Sequence, residues 1–402
     1  MRINRLLIAG IVSVGLLTSC ASDEESSGGT SSPATINLSL TTVTRAGGAA
    51  TGATAIPTDG GGSIGTNEGV VNHVYVGVFD NANYRMTTNV TDYDYNASGQ
   101  SITTTTKAKN IYVAANIPAA IAATYNTTTA KTLTLFQSLV QDLSYTTSTN
   151  GLSNTAANTV NSQSATGLPM FGSATLDFTK TTVSVPLTRA VARVALTKLA
   201  TAFTGTSYDG ATFIPKEVFM YNVNDKYTWG TGLGSSSVTT VTGESTDKST
   251  TNMAALASSA SNSNFFYLSS GLTAYTSSSS DQTYIDPTKT PADNPYFFYV
   301  FPHDATSPTK LVVKGVFTLN GTSEVMYYPI VVNKFLDAAS TTFSGGVTTH
   351  DSQVSQNTCY GINLTIKGRG VDDPSKDIVP ATVTLNMTVN AWSTSSEDMT
   401  VN

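Results

Sequence analysis

The sequence predicts an all-β protein, and three observations carry that prediction. Charged residues are only 12% of the chain and hydrophobic residues 40%, while the polar remainder is mostly Thr, Ser and Asn. Thr is β-branched and suits a pleated surface, and the apolar share is large enough for a core, which separates this composition from that of a disordered chain. Second, short runs with apolar residues at every other position recur along the chain. Third, Leu311 to Leu319 and Glu324 to Val332 alternate on either side of Asn320-Gly321, a strong signal for a type I′ hairpin. The 402 residues are enough for two domains of ordinary size.

The first stretch reads as a set of devices in series. Arg2 and Arg5 form a basic n-region, and Leu6 to Leu17 is an apolar run that suits a signal peptide and is too short to span a bilayer. Leu17-Thr18-Ser19-Cys20 has the form of a bacterial lipobox, which implies cleavage before Cys20 and acylation of its thiol. Ala21 to Pro33 carries no apolar side chain beyond Ala and reads as a tether, reaching about 40 Å if fully extended. Asp23-Glu24-Glu25 resembles the acidic export signal of surface lipoproteins in Bacteroidetes and reads equally well as a solvated acid patch. Ile36, Leu38 and Leu40 alternate with polar residues as in a half-buried strand. Arg45-Ala46 follows, ahead of a Gly/Ala-rich run: a site open to a trypsin-like protease, or an ordinary loop arginine.

Further along, Val71 to Asp80 is a nearly continuous apolar strand closed by Asp-Asn turn chemistry. Ile111 to Asn116 is another, stopped by Ile117-Pro118. Thr132 to Leu143 carries Leu133, Phe136, Leu139, Val140 and Leu143 at helical spacing and predicts a helix of about three turns. Strand patterns follow at Thr182 to Leu187, Ala190 to Leu199 and Lys216 to Val223. Gly230 to Ser263 has little apolar pattern and predicts an exposed insertion. Pro295 to Pro302 is an aromatic strand bounded by prolines, and Tyr360 to Ile366 alternates again. The last pattern, Ala381 to Trp392, sets Val383, Leu385, Met387 and Val389 on one face at period two.

Several chemistries are excluded or lack support. A net charge of -6 and a pI near 5.0 argue against a nucleic-acid partner. Once Cys20 is acylated, Cys359 stands alone, so no disulfide framework is expected and Cys359 reads as a small buried hydrophobe. His73, His303 and His350 show no metal-ligand spacing, and His303 reads as a turn residue at a strand end. Asp372 to Asp377 lacks the EF-hand pattern, Gly60-Gly61-Gly62 lacks the Lys-Ser/Thr of a phosphate loop, and no nucleophile elbow occurs. The expectation is a non-enzyme without metal or cofactor.

These features together resemble the Bacteroidales fimbrillins, the shaft subunits of type V pili. The matching pieces are the lipobox, the strand ending at Arg45-Ala46, Val74 to Asp80, Tyr112 to Asn116, Leu187 to Val194, Tyr299 to Pro302 and the last strand ending in Trp392. The resemblance implies two transthyretin-like β-sandwich domains, with a removable N-terminal strand and a C-terminal donor strand. It divides the chain into a signal peptide (1–19), a lipidated tether with propeptide strand (20–45), an N-terminal sandwich (46–188), a C-terminal sandwich (189–380) and a donor region (381–402). It further implies lipoprotein export to the outer membrane, cleavage after Arg45, and homopolymerisation by strand exchange into a surface fimbria that supports adhesion. Removing a strand from a sandwich opens an apolar groove between unpaired edges, which another strand can fill. The four apolar residues and Trp392 would make the donor, with about 6–12 kcal/mol from burying the four before ordering costs. The alternative is a surface glycan-binding lipoprotein, also built of β-sandwiches.

Overall fold

The computed structural model describes residues 31–42, 71, 73–82, 84, 91–94, 100–117, 132–138, 140–142, 168–228, 240–244, 268–269, 280–285, 296–336, 341–344 and 351–391. In the first part of the chain these hold β1 (Pro33–Thr42), β2 (His73–Phe79), β3 (Thr91–Asp94), β4 (Gln100–Thr105), β5 (Asn110–Ala115), helix α1 (Leu133–Gln137), β6 (Val140–Asp142), β7 (Met170–Thr175) and β8 (Thr182–Arg189). The second part holds β9 (Ala192–Thr201), β10 (Thr212–Tyr221), β11 (Val223–Asn224), β12 (Lys226–Thr228), β13 (Thr240–Val241), β14 (Leu268–Ser269) and β15 (Thr283–Ile285). It continues with β16 (Tyr296–Val300), β17 (Lys310–Leu319), β18 (Thr322–Val331), β19 (Thr341–Ser344), β20 (Thr358–Ile366) and β21 (Val383–Ala391). The protein is all-β, as its composition and patterning predict.

Strands of the first part follow the order β3-β2-β5-β7-β8-β1-β4. This path bends at β8, whose residues Thr182 to Leu187 pair with β1 while Thr188 and Arg189 pair with β7. A strand that switches sheets in this way makes the corner of a sandwich. The crossing is tight: a Cβ on Gly172 of β7 would lie 2.0 Å from the carbonyl oxygen of Pro186, so the position requires glycine. Ile36, Leu38, Ile102 and Val185 on one side share a core with Val74, Val76, Ile111 and Val113 on the other.

The near-continuous apolar run of β2 has a simple cause: both of its faces are covered. Val74, Val76 and Val78 enter the main core, while Tyr75 and Phe79 pack with Leu133 and Phe136 of α1. Helix α1 is capped by the Thr132 hydroxyl, which accepts from Leu135 N at 3.3 Å, but it spans five residues and not the predicted three turns. Ser138 ends it with a hydroxyl bond to the Leu135 carbonyl, and Val140–Asp142 then pairs with β12. A long-range strand pairing overrides the local helical spacing there; Leu139 and Leu143 lie outside the described residues.

The second part stacks a sheet β14-β10-β17-β18 with a sheet β15-β9-β20-β21-β19, and β16 also pairs with β9. Tyr296 to Phe301 are all buried, as their aromatic density predicts. The β17–β18 hairpin turns at Asn320 and Gly321 with φ of 51° and 77°, the left-handed pair that a type I′ turn needs. The described residues of Gly230–Ser263 depart from an exposed insertion. Thr240–Val241 pairs with β11, Gly243 is buried, and Glu244 lies 3.8 Å from the buried Lys314. Backbone pairing and one charge hold this segment, which is why no apolar pattern announces it. Between the two parts, Arg189 is buried and donates to Asn357 Oδ1 at 3.2 Å, and the rings of Phe171 and Tyr227 meet with centroids 6.1 Å apart.

Candidate functional site

β1 is an interior strand. It runs parallel to β8 on one side and antiparallel to β4 on the other, with Asn37 opposite both Thr182 and Ser101. Its period-two pattern matches this place. Ile36 and Leu38 are buried, Leu40 packs at the margin of the core, and Asn37 is exposed. The walls of its slot are apolar: Ile102 on β4, and Val185 and Leu187 on β8. The slot extends to the strand's first residues, where Thr106 N donates to the Ser32 carbonyl at 3.0 Å. Without β1, the facing edges of β4 and β8 would lose a ladder partner and this apolar seam would meet water, a costly state on both counts.

The C-terminal strand sits in a slot of the same kind within its own chain. β21 runs antiparallel to β20 and parallel to β19, with Leu385 opposite Leu364 and Thr341. Val383, Leu385, Met387 and Val389 are 2%, 1%, 0% and 1% exposed, and Asn386 between them is exposed. The predicted stripe is therefore one buried face, held by the chain's own core. Asn333 N approaches Met387 Sδ at 3.2 Å. Ahead of β21, Pro380–Thr382 forms a 3-10 turn in which the Val379 carbonyl accepts from Thr382 N at 3.0 Å. Cys20, Arg45, Ala46 and Trp392 lie outside the described residues; Arg45 is three positions beyond the end of β1 in sequence.

One signal in the sequence links its two ends and escapes a reading for local periodicity. Pro33-Ala34-Thr35-Ile36-Asn37-Leu38-Ser39-Leu40-Thr41 and Pro380-Ala381-Thr382-Val383-Thr384-Leu385-Asn386-Met387-Thr388 are near copies. Five of nine positions are identical, and the inward ones that differ exchange Ile for Val and Leu for Met. Aligning the two ends of the chain finds the pair, whereas neither segment looks unusual alone.

Elsewhere, Lys314 and Glu217 face each other across β17 and β10 at 3.2 Å, both buried, and the Tyr327 hydroxyl donates to Glu244 Oε1 at 2.7 Å. Burial pushes the Tyr327 phenol well above its ordinary range, with Glu244 adding to the effect. A cleft of about 450 Å³ lies beside this group, lined among others by Tyr221, Asp372 and Asp373. Cys359 is buried in the core, as expected for a small hydrophobe. Among the described residues no cluster of three or more His, Cys, Asp or Glu could hold a metal, and no helix is long and apolar enough to cross a membrane.

Residues 34–189, from the second residue of β1 to the last of β8, match the family model described as major fimbrial subunit protein (FimA). The chain resembles the fimbrillins. Its fold is similar to that of a fimbrilin from Porphyromonas gingivalis W83, with a TM-score of 0.54, 14% identity, and 89% of this chain and 95% of that one covered. It is similar as well to a candidate cell adhesion protein from Bacteroides eggerthii DSM 20697, with a TM-score of 0.55, 20% identity and coverage of 89% and 96%. Another from Parabacteroides distasonis ATCC 8503 gives a TM-score of 0.52, 18% identity and coverage of 91% and 100%. No curated protein matches the chain. At these identities the structures speak to fold, and the fimbrillin-like fold is a β-sandwich.

Proposed function

We propose that this chain is a structural subunit of a cell-surface fimbria that supports adhesion and assembles with other copies of itself and related fimbrial subunits. The FimA family match over residues 34–189 supports that reading. In it, the chain is exported as an outer-membrane lipoprotein acylated on Cys20, and a trypsin-like protease cuts between Arg45 and Ala46. Loss of β1 frees a slot in the sandwich of residues 46–188. The segment 381–402 of another copy, which follows the sandwich of residues 189–380, fills the slot through Val383, Leu385, Met387 and Val389, with Trp392 beyond them. The subunit is structural and not catalytic.

The observation that carries this reading is the interior position of β1 ahead of a basic, cuttable sequence. A strand in that position cannot leave without exposing two hydrogen-bonding edges and an apolar seam, so whatever replaces it must be another strand. β21 has the period, the length and the mixed parallel–antiparallel neighbours of such a replacement. The test is trypsin treatment of the purified precursor, followed by electron microscopy and gels of unboiled samples. Polymers are expected from the unsubstituted chain and only monomers from Arg45→Ala. Ladders from the Arg45→Ala chain would show that the cut is elsewhere or is not needed. Cys20→Ser should abolish labelling by a fatty-acid probe and leave the fold intact; an unchanged labelled band would place the lipid elsewhere.

A further inference from the structure

We infer that the incoming strand takes the place of β1 residue for residue, each donor residue occupying the position 347 earlier in the sequence. This register rests on the strand-exchange reading above and adds to it which atoms meet. Pro380 would enter the seat of Pro33, Val383 that of Ile36, Leu385 that of Leu38 and Met387 that of Leu40. On the receiving subunit, Thr384 would then face Ser101 and Thr182, and Asn386 would face Ser184, as Asn37 and Ser39 do now.

Period two alone does not choose this register. A one-residue slip turns the apolar face outward and is excluded. Slips of two residues keep the face inward and are the real competitors. Sliding one way puts Ala381 in the seat of Ile36, leaving a void beside Ile102, and puts Pro380 at the position of Thr35, inside the ladder to Thr103 where a strand donor is needed. Sliding the other way puts Val383 in the seat of Ala34 and Leu385 in that of Ile36, overfilling a seat shaped for alanine. In the inferred register alanine meets an alanine seat, and proline stands at the first residue of the strand, where its missing N–H is tolerated. The inward differences are then Ile for Val and Leu for Met, the changes a packed core accepts most readily.

The register has a structural consequence at the donor's root. Pro380–Thr382, a 3-10 turn in the monomer, must open into strand, releasing the Val379 carbonyl from Thr382 N. That carbonyl then stands where Ser32 stands now and can accept from Thr106 N of the receiving subunit.

Disulfide trapping reads the register directly, because two cysteines bridge only when their Cα atoms are within about 7 Å. A full-length chain with Thr384→Cys is mixed with one carrying Ser101→Cys, Thr103→Cys or Ser184→Cys, then cleaved with trypsin and oxidised. All four positions point away from the apolar seam, and each variant is checked for incorporation beside the unsubstituted chain. The expected result is a reducible, cleavage-dependent dimer with Ser101→Cys at least about tenfold stronger than with the other two. A dominant dimer with Thr103→Cys or Ser184→Cys would overturn the register and leave strand exchange standing. Polymers with no dimer from any pair would overturn both. Absence of polymer from the cleaved, unsubstituted chain would remove the exchange reading and the register with it. A second variant needs no assembly: Ile36→Val, Asn37→Thr, Ser39→Asn and Leu40→Met together write the donor into β1. The uncleaved chain should fold with its melting point lowered by no more than about 5 °C. Failure to fold would show that the slot does not accept the donor sequence in this register.

Discussion

Leu38 and Leu385 occupy equivalent positions in the two related strands, yet only the truncation of Leu385 should weaken a polymer formed by strand exchange. Leu38 is fully buried at the centre of β1, so Leu38→Ala should cost about 2–5 kcal/mol. The seating of β1 through Ile36, Leu38 and the half-buried Leu40 is worth about 4–7 kcal/mol before ordering costs, so roughly half of it goes. Local release of β1 should become about 30-fold more frequent or greater, at tenfold per 1.4 kcal/mol. Hydrogen exchange of the β4 and β8 amides in the uncleaved chain measures this release, and thermal unfolding measures the rest. If cleavage releases β1, Leu38 leaves with it, so polymers from Leu38→Ala should match those of the unsubstituted chain in melting point. Leu385→Ala, in contrast, should weaken both precursor and polymer. If Leu38→Ala lowers the polymer's melting point as much as the precursor's, β1 has stayed in the assembly and the reasoning fails. If it leaves amide exchange in β4 and β8 unchanged, β1 does not guard the slot.

Other sites give independent checks by chemical denaturation, thermal unfolding or pH titration. Lys314→Ala strands Glu217 in the interior and should cost about 3–5 kcal/mol, whereas Lys314→Met with Glu217→Leu should recover most of that; equal losses would mean water reaches the pair. Gly172→Ala drives a Cβ into the Pro186 carbonyl and should cost at least about 1–3 kcal/mol while raising exchange in β8; an unchanged midpoint would mean the β7–β8 crossing is loose. The Asp281 carboxyl is held below its ordinary pKa by the backbone N–H of Thr204, with the N–H of Phe203 also donating at 2.6 Å. A lowered folded pKa adds stability above the unfolded value near ~3.9 and loses it as pH falls through the folded value. Asp281→Asn should therefore flatten the acid limb of stability between about pH 5 and pH 3, and an unaltered limb would sink that assignment.

The legible parts of the fold are those set by local pattern. Period two in Ile36-Asn37-Leu38 and in Val383 to Val389 gave strands with the expected buried faces, because alternation responds only to which side meets the core. Asn320-Gly321 gave its hairpin because the turn needs two left-handed residues and little else. Placement was another matter. Nothing in Pro33–Thr42 says that β4 and β8 will flank it, since those partners lie more than 60 and 140 residues away in sequence. The helix at Leu133 stopped short because β12, contributed by a distant segment, claimed Val140–Asp142. Glu244 was invisible because a single carboxylate aimed at a buried Lys314 leaves no periodic trace. The kinship of the two end strands was present in the letters, but it lies between segments and not within either.

That kinship bears on what cleavage would do. If β1 and the donor fit the slot almost equally, fit cannot decide which one holds it. Within an uncleaved chain β1 is covalently tethered to the sandwich that holds its slot, which gives it an effective concentration that a strand on a separate subunit lacks. A donor on another subunit would compete at its bulk concentration and would also have to leave the place it holds between β20 and β19. On that reading the precursor would stay monomeric without any contact that discriminates against the donor. Cutting after Arg45 would change no residue in the slot; it would remove the tether, and β1 would then depart at a rate set by its own seating. On this account polymerisation depends on chain connectivity more than on affinity. Restoring the tether should restore the block: replacing Arg45 with a residue trypsin ignores should be rescued by any new trypsin site placed between Thr44 and the start of β2, in proportion to cutting and regardless of local sequence. A chain cut efficiently at such a site that still fails to polymerise would show that the Arg45-Ala46 terminus itself makes a contact that assembly needs.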